Sequence, residues 1–191
     1  VQKVLGQKNK IPGIHGTVAE LGVAESKYSL ALEIAAGSKL KSIVVDTDKT
    51  AVTCIKFLKE NKYGIASFIP MSKIKGPASL SDMNQLKTIN GVQGPAIDLL
   101  QFKPQYKNVF SYVFGNTLII EDLDVARRIG IGRVKMVSLD GDLAELSGAL
   151  QGGYRGRQGR GLGFQEKEVA AELEKCEKTV RDQELLIARL D

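Results

Sequence analysis

SLALEIAAGSKLKSIVVDTDKTAVTCIKFLKE, residues 29–60, and NVFSYVFGNTLIIEDLDVARRIG, residues 108–130, follow one plan. Each runs from an apolar-faced helix through a glycine stop into a β-branched strand, then through acidic capping residues into a second helix. In the first copy, residues 25–36 place Tyr28, Ala31, Leu32 and Ala35 on one face, and Gly37 ends the helix. Residues 40–45 hold Ile43, Val44 and Val45 in an unbroken apolar run, the pattern of a strand buried on both faces. Asp46, Thr47 and Asp48 offer cap oxygens to a helix over 50–61 that carries Val52, Ile55, Phe57 and Leu58, and 65–70 is the next strand. The second copy gives a helix at 105–114, a stop at Gly115, strands at 117–120 and 134–139, and a helix at 123–129 between them. Two related helix-strand lobes of mixed α/β (α+β) class follow, with a linker in the turn-rich stretch 72–94.

Residues 1–8 carry Val1, Val4 and Leu5 among polar neighbours, as the last turns of an amphipathic helix would, and Pro12 and Gly13 break the pattern. Residues 14–18 read as a strand within GIHGTVAELG, whose glycines fit neither GxGxxG nor GxxxxGK[ST] and so serve turns rather than phosphate. Asp140, Gly141 and Asp142 lack the later oxygen ligands of a calcium loop and read as a turn. Residues 147–163, SGALQGGYRGRQGRGLG, crowd glycine and arginine together. Glycine lets backbones approach and arginine supplies a planar fork of donors, so this stretch is a contact surface. Beyond Phe164 the chain changes character. Val169, Leu173, Cys176, Val180, Gln183, Ile187 and Leu190 alternate spacings of four and three. This is the a/d register of a coiled-coil helix, sustained over about three heptads, whereas a lone helix packed on the lobes would show a broader apolar stripe.

A chain of 191 residues with 43% apolar content can build one core or two small lobes sharing one. Its formal charge of +5 suits a polyanionic partner, and equally the ordinary role of charge in solubility. Cys54 and Cys176 sit far apart, one in an apolar helical pattern and one in a heptad, as small buried hydrophobes of a reducing compartment. No apolar run approaches the ~20 residues that cross a bilayer, and VQKVLGQKNK is no signal peptide, so a soluble cytoplasmic chain without a membrane partner is expected. The absence of an initiating Met and the end in mid-helix at ARLD point to a piece of something longer. The single histidine, His15, has no nucleophile motif beside it and reads as a turn or core residue. No Walker, zinc or dinucleotide pattern is present, so no catalytic residue, metal or cofactor is expected of this segment.

GTVAEL at 16–21, YSLALEIAAGSKLKSIVVD at 28–46, ASFIP at 66–70, FGNTLIIEDLDVAR at 114–127 and SLDGDLAELSGALQGG at 138–153 together resemble the hinge domain of an SMC (structural maintenance of chromosomes) protein. The resemblance implies an incoming coiled-coil arm ending at 1–10 and a hinge over 11–163, with lobe I at about 11–90 and lobe II at about 91–163. It implies a returning arm from 164 to 191, antiparallel to the first. It further implies a homodimer in which two hinges meet head to tail as a ring, one lobe of each against the other lobe of its partner. Gly148, Gly152 and Gly153 would lie at those contacts, with Ser147 and Gln151 nearby. A basic cluster after the glycine pair would bind DNA, single strands in preference to duplex. Here that cluster is Arg155, Arg157 and Arg160, with arginine where family versions are lysine-rich and with further glycines interrupting it. Lys3, Lys8 and Lys10 either extend the basic surface or form a solvated helix end. The implied parent carries an ATPase head and acts in chromosome condensation and segregation at the nucleoid. The alternatives are a pairing module with incidental charge and an RGG-like RNA-binding domain.

Overall fold

The structure, a computed structural model, describes residues 1–78, 80–155, 163–166 and 180, without the side chains of 165 and 166. The first half of the chain forms α1 (Gln2–Leu5), β1 (Ile14–Thr17), α2 (Val18–Leu21), β2 (Gly22–Ala24), α3 (Ser26–Ala36), β3 (Ile43–Val45), α4 (Asp48–Glu60) and β4 (Phe68–Pro70). The second forms α5 (Met83–Leu86), β5 (Val92–Pro95), β6 (Leu100–Phe102), α6 (Lys107–Phe114), β7 (Leu118–Ile120), α7 (Leu123–Ile129), β8 (Met136–Ser138), β9 (Leu143–Ala144), β10 (Leu150–Gln151) and β11 (Gln165–Glu166).

The two lobes repeat in detail. β3 runs parallel to β4 and antiparallel to β1, as β7 does to β8 and β5. A register shift interrupts β1 between Ile14 and Gly16 and β5 between Val92 and Gly94. α3 and α6 end on glycines of one conformation, Gly37 at φ 54°, ψ −134° and Gly115 at φ 57°, ψ −134°, a region that side chains with a Cβ avoid. Thr47 accepts from the Thr50 N–H and Asp122 from the Val125 N–H, so α4 and α7 are capped alike. Lobe II then goes further. β9 pairs with β8 and β10 with β9, making a five-stranded sheet β10-β9-β8-β7-β5 against the three-stranded β1-β3-β4.

Alternation along the central strands distributes three cores. Val44 and Ile119 face a shared cluster with Leu32 of α3 and Val109 and Phe110 of α6. Ile43 and Val45 face Ala51, Cys54 and Leu58 of α4, and Leu118 and Ile120 face Val125, Ala126 and Ile129 of α7. A third sheet, β11-β2-β6, pairs Gly22–Ala24 of lobe I with Leu100–Phe102 of lobe II.

Several expectations are corrected. The strand expected at 40–45 starts at Ile43, because Gly37–Lys41 first makes a 3-10 turn. The strand expected at 65–70 starts at Phe68 and leaves Ile65 fully exposed at 101%. α4 begins at Asp48, and it turns Ala51, Cys54 and Leu58 inward while Val52 and Ile55 face out. The stretch 72–94 is more than a connection, since it forms α5 and opens β5, and Met83 and Leu86 join the lobe II core. Cys54 is buried, as expected, and Cys176 lies outside the described residues. No described helix is long and apolar enough to cross a membrane.

Candidate pairing and nucleic-acid surfaces

The glycine-rich stretch forms the outer strand of lobe II. Leu150 pairs with Ala144 and Gln151 with Leu143, and the Glu145 N–H donates to the Ala149 carbonyl at 2.8 Å. With Ala149 and Gln151 turned to β9, antiparallel alternation directs the main-chain groups of Leu150 and Gly152 away from the sheet. Ser147, Gly148, Gln151, Gly152 and Gly153 are all exposed. Their glycines answer to different demands. A Cβ on Gly148 or Gly153 would meet nothing within 4 Å, whereas one on Gly152 would stand 2.2 Å from Asp142 Oδ1. That same oxygen accepts the Gly153 N–H at 3.1 Å, and the Asp142 N–H donates to Ser138 Oγ at 2.9 Å. Residues 140–142 are the expected turn, and Gly152 is required by that turn inside its own lobe.

Lobe I has a second outer strand. The Ile43 N–H donates to the Ser67 carbonyl and the Met71 N–H to the Val45 carbonyl, both at 2.8 Å, which fixes the inward-facing residues of β4. The main-chain groups of Phe68 and Pro70 therefore point away from β3, and a proline at that position has no N–H to leave unpaired. Large exposed apolar side chains flank both edges: Tyr63 and Ile65 beside β4, and Leu146, Leu150 and Tyr154 around β10.

The basic residues are placed less uniformly. The Arg155 guanidinium folds back on lobe II, with Nη2 donating to the Gly141 carbonyl at 2.9 Å. Lys8 Nζ donates to the His15 carbonyl at 2.7 Å, Lys3 Nζ lies 5.8 Å from the centroid of the Tyr63 ring, and Lys10 is exposed. Arg157 and Arg160 lie outside the described residues, as do Val169, Leu173, Cys176, Gln183, Ile187 and Leu190; Val180 is helical and exposed. His15 joins the lobes, its Nδ1 3.0 Å from the Tyr106 hydroxyl and its Nε2 2.6 Å from Asp46 Oδ1.

Burial raises the carboxyl of Glu33 above its usual range, and Arg155 and Lys41 offset part of that rise. A carboxyl that titrates higher folded than unfolded costs stability once ionised. The penalty is complete above the folded value and absent below the unfolded one. Glu33→Gln is therefore expected to stabilise the chain slightly at neutral pH, by no more than about 0.5 kcal/mol because solvent screens a side chain this accessible, with the gain vanishing in acid below the ordinary carboxyl value. Urea unfolding of both proteins at the two pH values measures this, and an equal gain at both would refute the burial penalty.

Residues 11–130 match the family described as the SMC proteins flexible hinge domain. The chromosome partition protein Smc of Gloeobacter violaceus is 37% identical over 189 residues, covering 99% of this chain and 16% of that protein. The Methanocaldococcus jannaschii protein of the same name is 44% identical over 146 residues, covering 75% of this chain and 12% of that one. The chain thus spans a small part of the length of these relatives. Among solved structures, an asymmetric dimer of the Geobacillus stearothermophilus SMC hinge domain superposes with a TM-score of 0.79 at 29% identity, covering 98% of this chain and 78% of that one. The Pyrococcus furiosus SMC protein hinge domain superposes with a TM-score of 0.69 at 35% identity, covering 82% and 80%.

Proposed function

Because the chain belongs to the family of SMC flexible hinge domains, we propose that it is the dimerisation joint of a chromosome-partitioning protein, pairing with a second copy of itself and binding DNA. The observation that carries the pairing is the difference between the two lobes. In lobe II the outer side of β8 is covered by β9 and β10, while among the described residues nothing covers the equivalent strand of lobe I, β4. The β10 edge of a partner laid on β4 joins three strands of one copy to five of the other by main-chain hydrogen bonds. Two-fold symmetry makes the contact twice and closes a ring. The open space beside Gly148 and Gly153 admits close approach of the partner's backbone, and Ile65, Leu146 and Leu150 supply apolar surface. The dimer of the Geobacillus relative, an asymmetric one, supports the pairing of two hinges, and the two-fold closure rests on the strand edges alone.

The DNA reading rests on the charge of +5 and on Arg155, Arg157 and Arg160 beyond the glycine pair, with Lys3, Lys8 and Lys10 near the incoming arm. Arginine holds phosphates and stacks on unpaired bases, which favours single strands. In this proposal the segment catalyses nothing; its two arms pair antiparallel, and ATP is turned over elsewhere in the parent protein at the nucleoid. Sedimentation should give about twice the chain mass of 20.7 kDa. In fluorescence-polarisation titrations a single strand should bind more tightly than duplex, with log affinity falling linearly in log salt. Changing Arg155, Arg157 and Arg160 to Glu together should weaken that binding by about tenfold or more while leaving the mass unchanged. Unaltered affinity would remove the three arginines from the DNA surface.

A further inference from the structure

Among the described residues, Lys39 and Lys135 are the half-buried lysines, and both stand where the lobes meet. Lys39, just past α3 in lobe I, donates from Nζ to the Tyr112 carbonyl near the end of α6 at 3.0 Å, and it lies 4.2 Å from the centroid of the Tyr112 ring. Lys135, just ahead of β8 in lobe II, donates to the Ala35 carbonyl at the end of α3 at 3.2 Å. Each ammonium thus meets the negative end of the other lobe's helix, and each has two donors left.

Both lysines line a cleft of about 440 Å³ together with Arg155, the carboxylate of Glu145, and apolar surface from Ile34 and Val113. Its volume falls within the range of small-ligand pockets, about 300–1,000 Å³. Among the described residues none of the three cations forms an ion pair. Three positive groups therefore line a concave, partly desolvated place with one carboxylate, Glu145, while Glu33, outside that lining, acts on Arg155. Burial, and after it the neighbouring Lys135, lowers the Lys39 ammonium below its ordinary range. Holding like charges together in this way is unfavourable until an anion joins them.

We infer that this interlobe cleft is a phosphate-binding site, in which Lys39, Lys135 and Arg155 converge on a phosphate group carried by a nucleic-acid strand or by a small phosphorylated molecule. Ile34 and Val113 receive the uncharged part of the ligand. Neither the pairing nor the polymer binding proposed above is needed for this inference, because an isolated phosphate ion meets the same three cations.

The test follows the amide signals of Gly37, Ser38 and Gln151, which line the cleft, in the whole chain at fixed ionic strength. Inorganic phosphate, a nucleoside 5′-monophosphate and oligothymidylate are added separately. Saturable shifts at these amides are expected, weakened about tenfold by Lys135→Gln, as for loss of one hydrogen bond to a charged group. Lys135→Arg should retain binding, and Lys56→Gln, at an exposed lysine of α4, should leave it unchanged. If oligothymidylate shifts the cleft amides, the phosphate is that of nucleic acid. If only inorganic phosphate and the monophosphate do, the ligand is a small molecule, and the inference stands while the DNA reading loses this cleft. Should Lys135→Gln fail to fold, the wild-type titrations decide. Shifts spread over exposed lysines such as Lys56 and Lys59, or no shifts at Gly37, Ser38 and Gln151 with any of the three probes, overturn the proposal.

Discussion

Leu150→Lys is expected to turn the paired protein into single chains. Leu150 is 54% exposed in the single chain, so its replacement removes little from the lobe itself. In the proposed head-to-tail ring each copy presents β10 to its partner's β4, so one substitution falls on both contacts at once. Losing a buried apolar anchor costs about 2 kcal/mol or more per contact. The pair then loses roughly 4 kcal/mol, close to a thousandfold in dissociation constant. A lysine on an outer strand is also one of the devices by which natural sheets refuse edge pairing. Sedimentation equilibrium reads the effect directly. Mixing the variant with unaltered chain sharpens the test, because the mixed pair keeps one undamaged contact and should associate with intermediate affinity. A Leu150→Lys protein that still dimerises as tightly as the parent would exclude β10 as the contact edge.

The repeat of the two lobes is legible in the sequence because its markers are local. Gly37 and Gly115 stop helices, Ile43–Val45 and Leu118–Ile120 are continuous apolar runs, and Thr47 and Asp122 are cap residues, each readable within a few positions. What lies between the lobes is not local. β2 and β6 are three residues each, too short for an alternation to declare itself, and they pair across nearly eighty positions. The inward face of α4 is hard to read from its composition for a related reason. Val52 and Ile55 are the more apolar choices, yet the cap at Thr47 sets the helix phase so that Ala51 and Cys54, smaller and able to sit close to the strands, face the core.

The surface shows the same division. Glycine crowding at 147–153 suggests a contact surface, and the structure shows residues 150–151 of it as an outer strand. The demand on Gly152, however, comes from Asp142, ten positions earlier, and no spacing rule connects them. The contacts of Lys39 and Lys135 are not legible in the sequence for the same reason. A lysine near a helix end is commonly read as serving that helix, whereas these serve the helix of the other lobe.

Phe110→Ala is expected to cost about 3–5 kcal/mol, a large part of the stability of an ordinary domain. Phe110 is fully buried on α6 at the centre of an aromatic group, with ring centroids 4.6 Å from Phe102, 6.2 Å from Phe114 and 6.3 Å from Phe164. Its cluster also contains Leu32 and Val44 of lobe I, so the cavity opens between the lobes rather than inside one. If the lobes were separate folding units, the loss would be confined to lobe II. Because they share this core and the β2–β6 pairing, hydrogen-exchange protection should fall together at β3 and at β7, and urea unfolding should remain one transition of unchanged slope with a lower midpoint. Both measurements belong at one fixed protein concentration, since pairing adds to apparent stability by mass action. Full protection retained at Ile43–Val45 while Leu118–Ile120 exchanges freely would show that the lobes unfold independently, and the hinge would then bend within its body rather than act as one rigid joint between its arms.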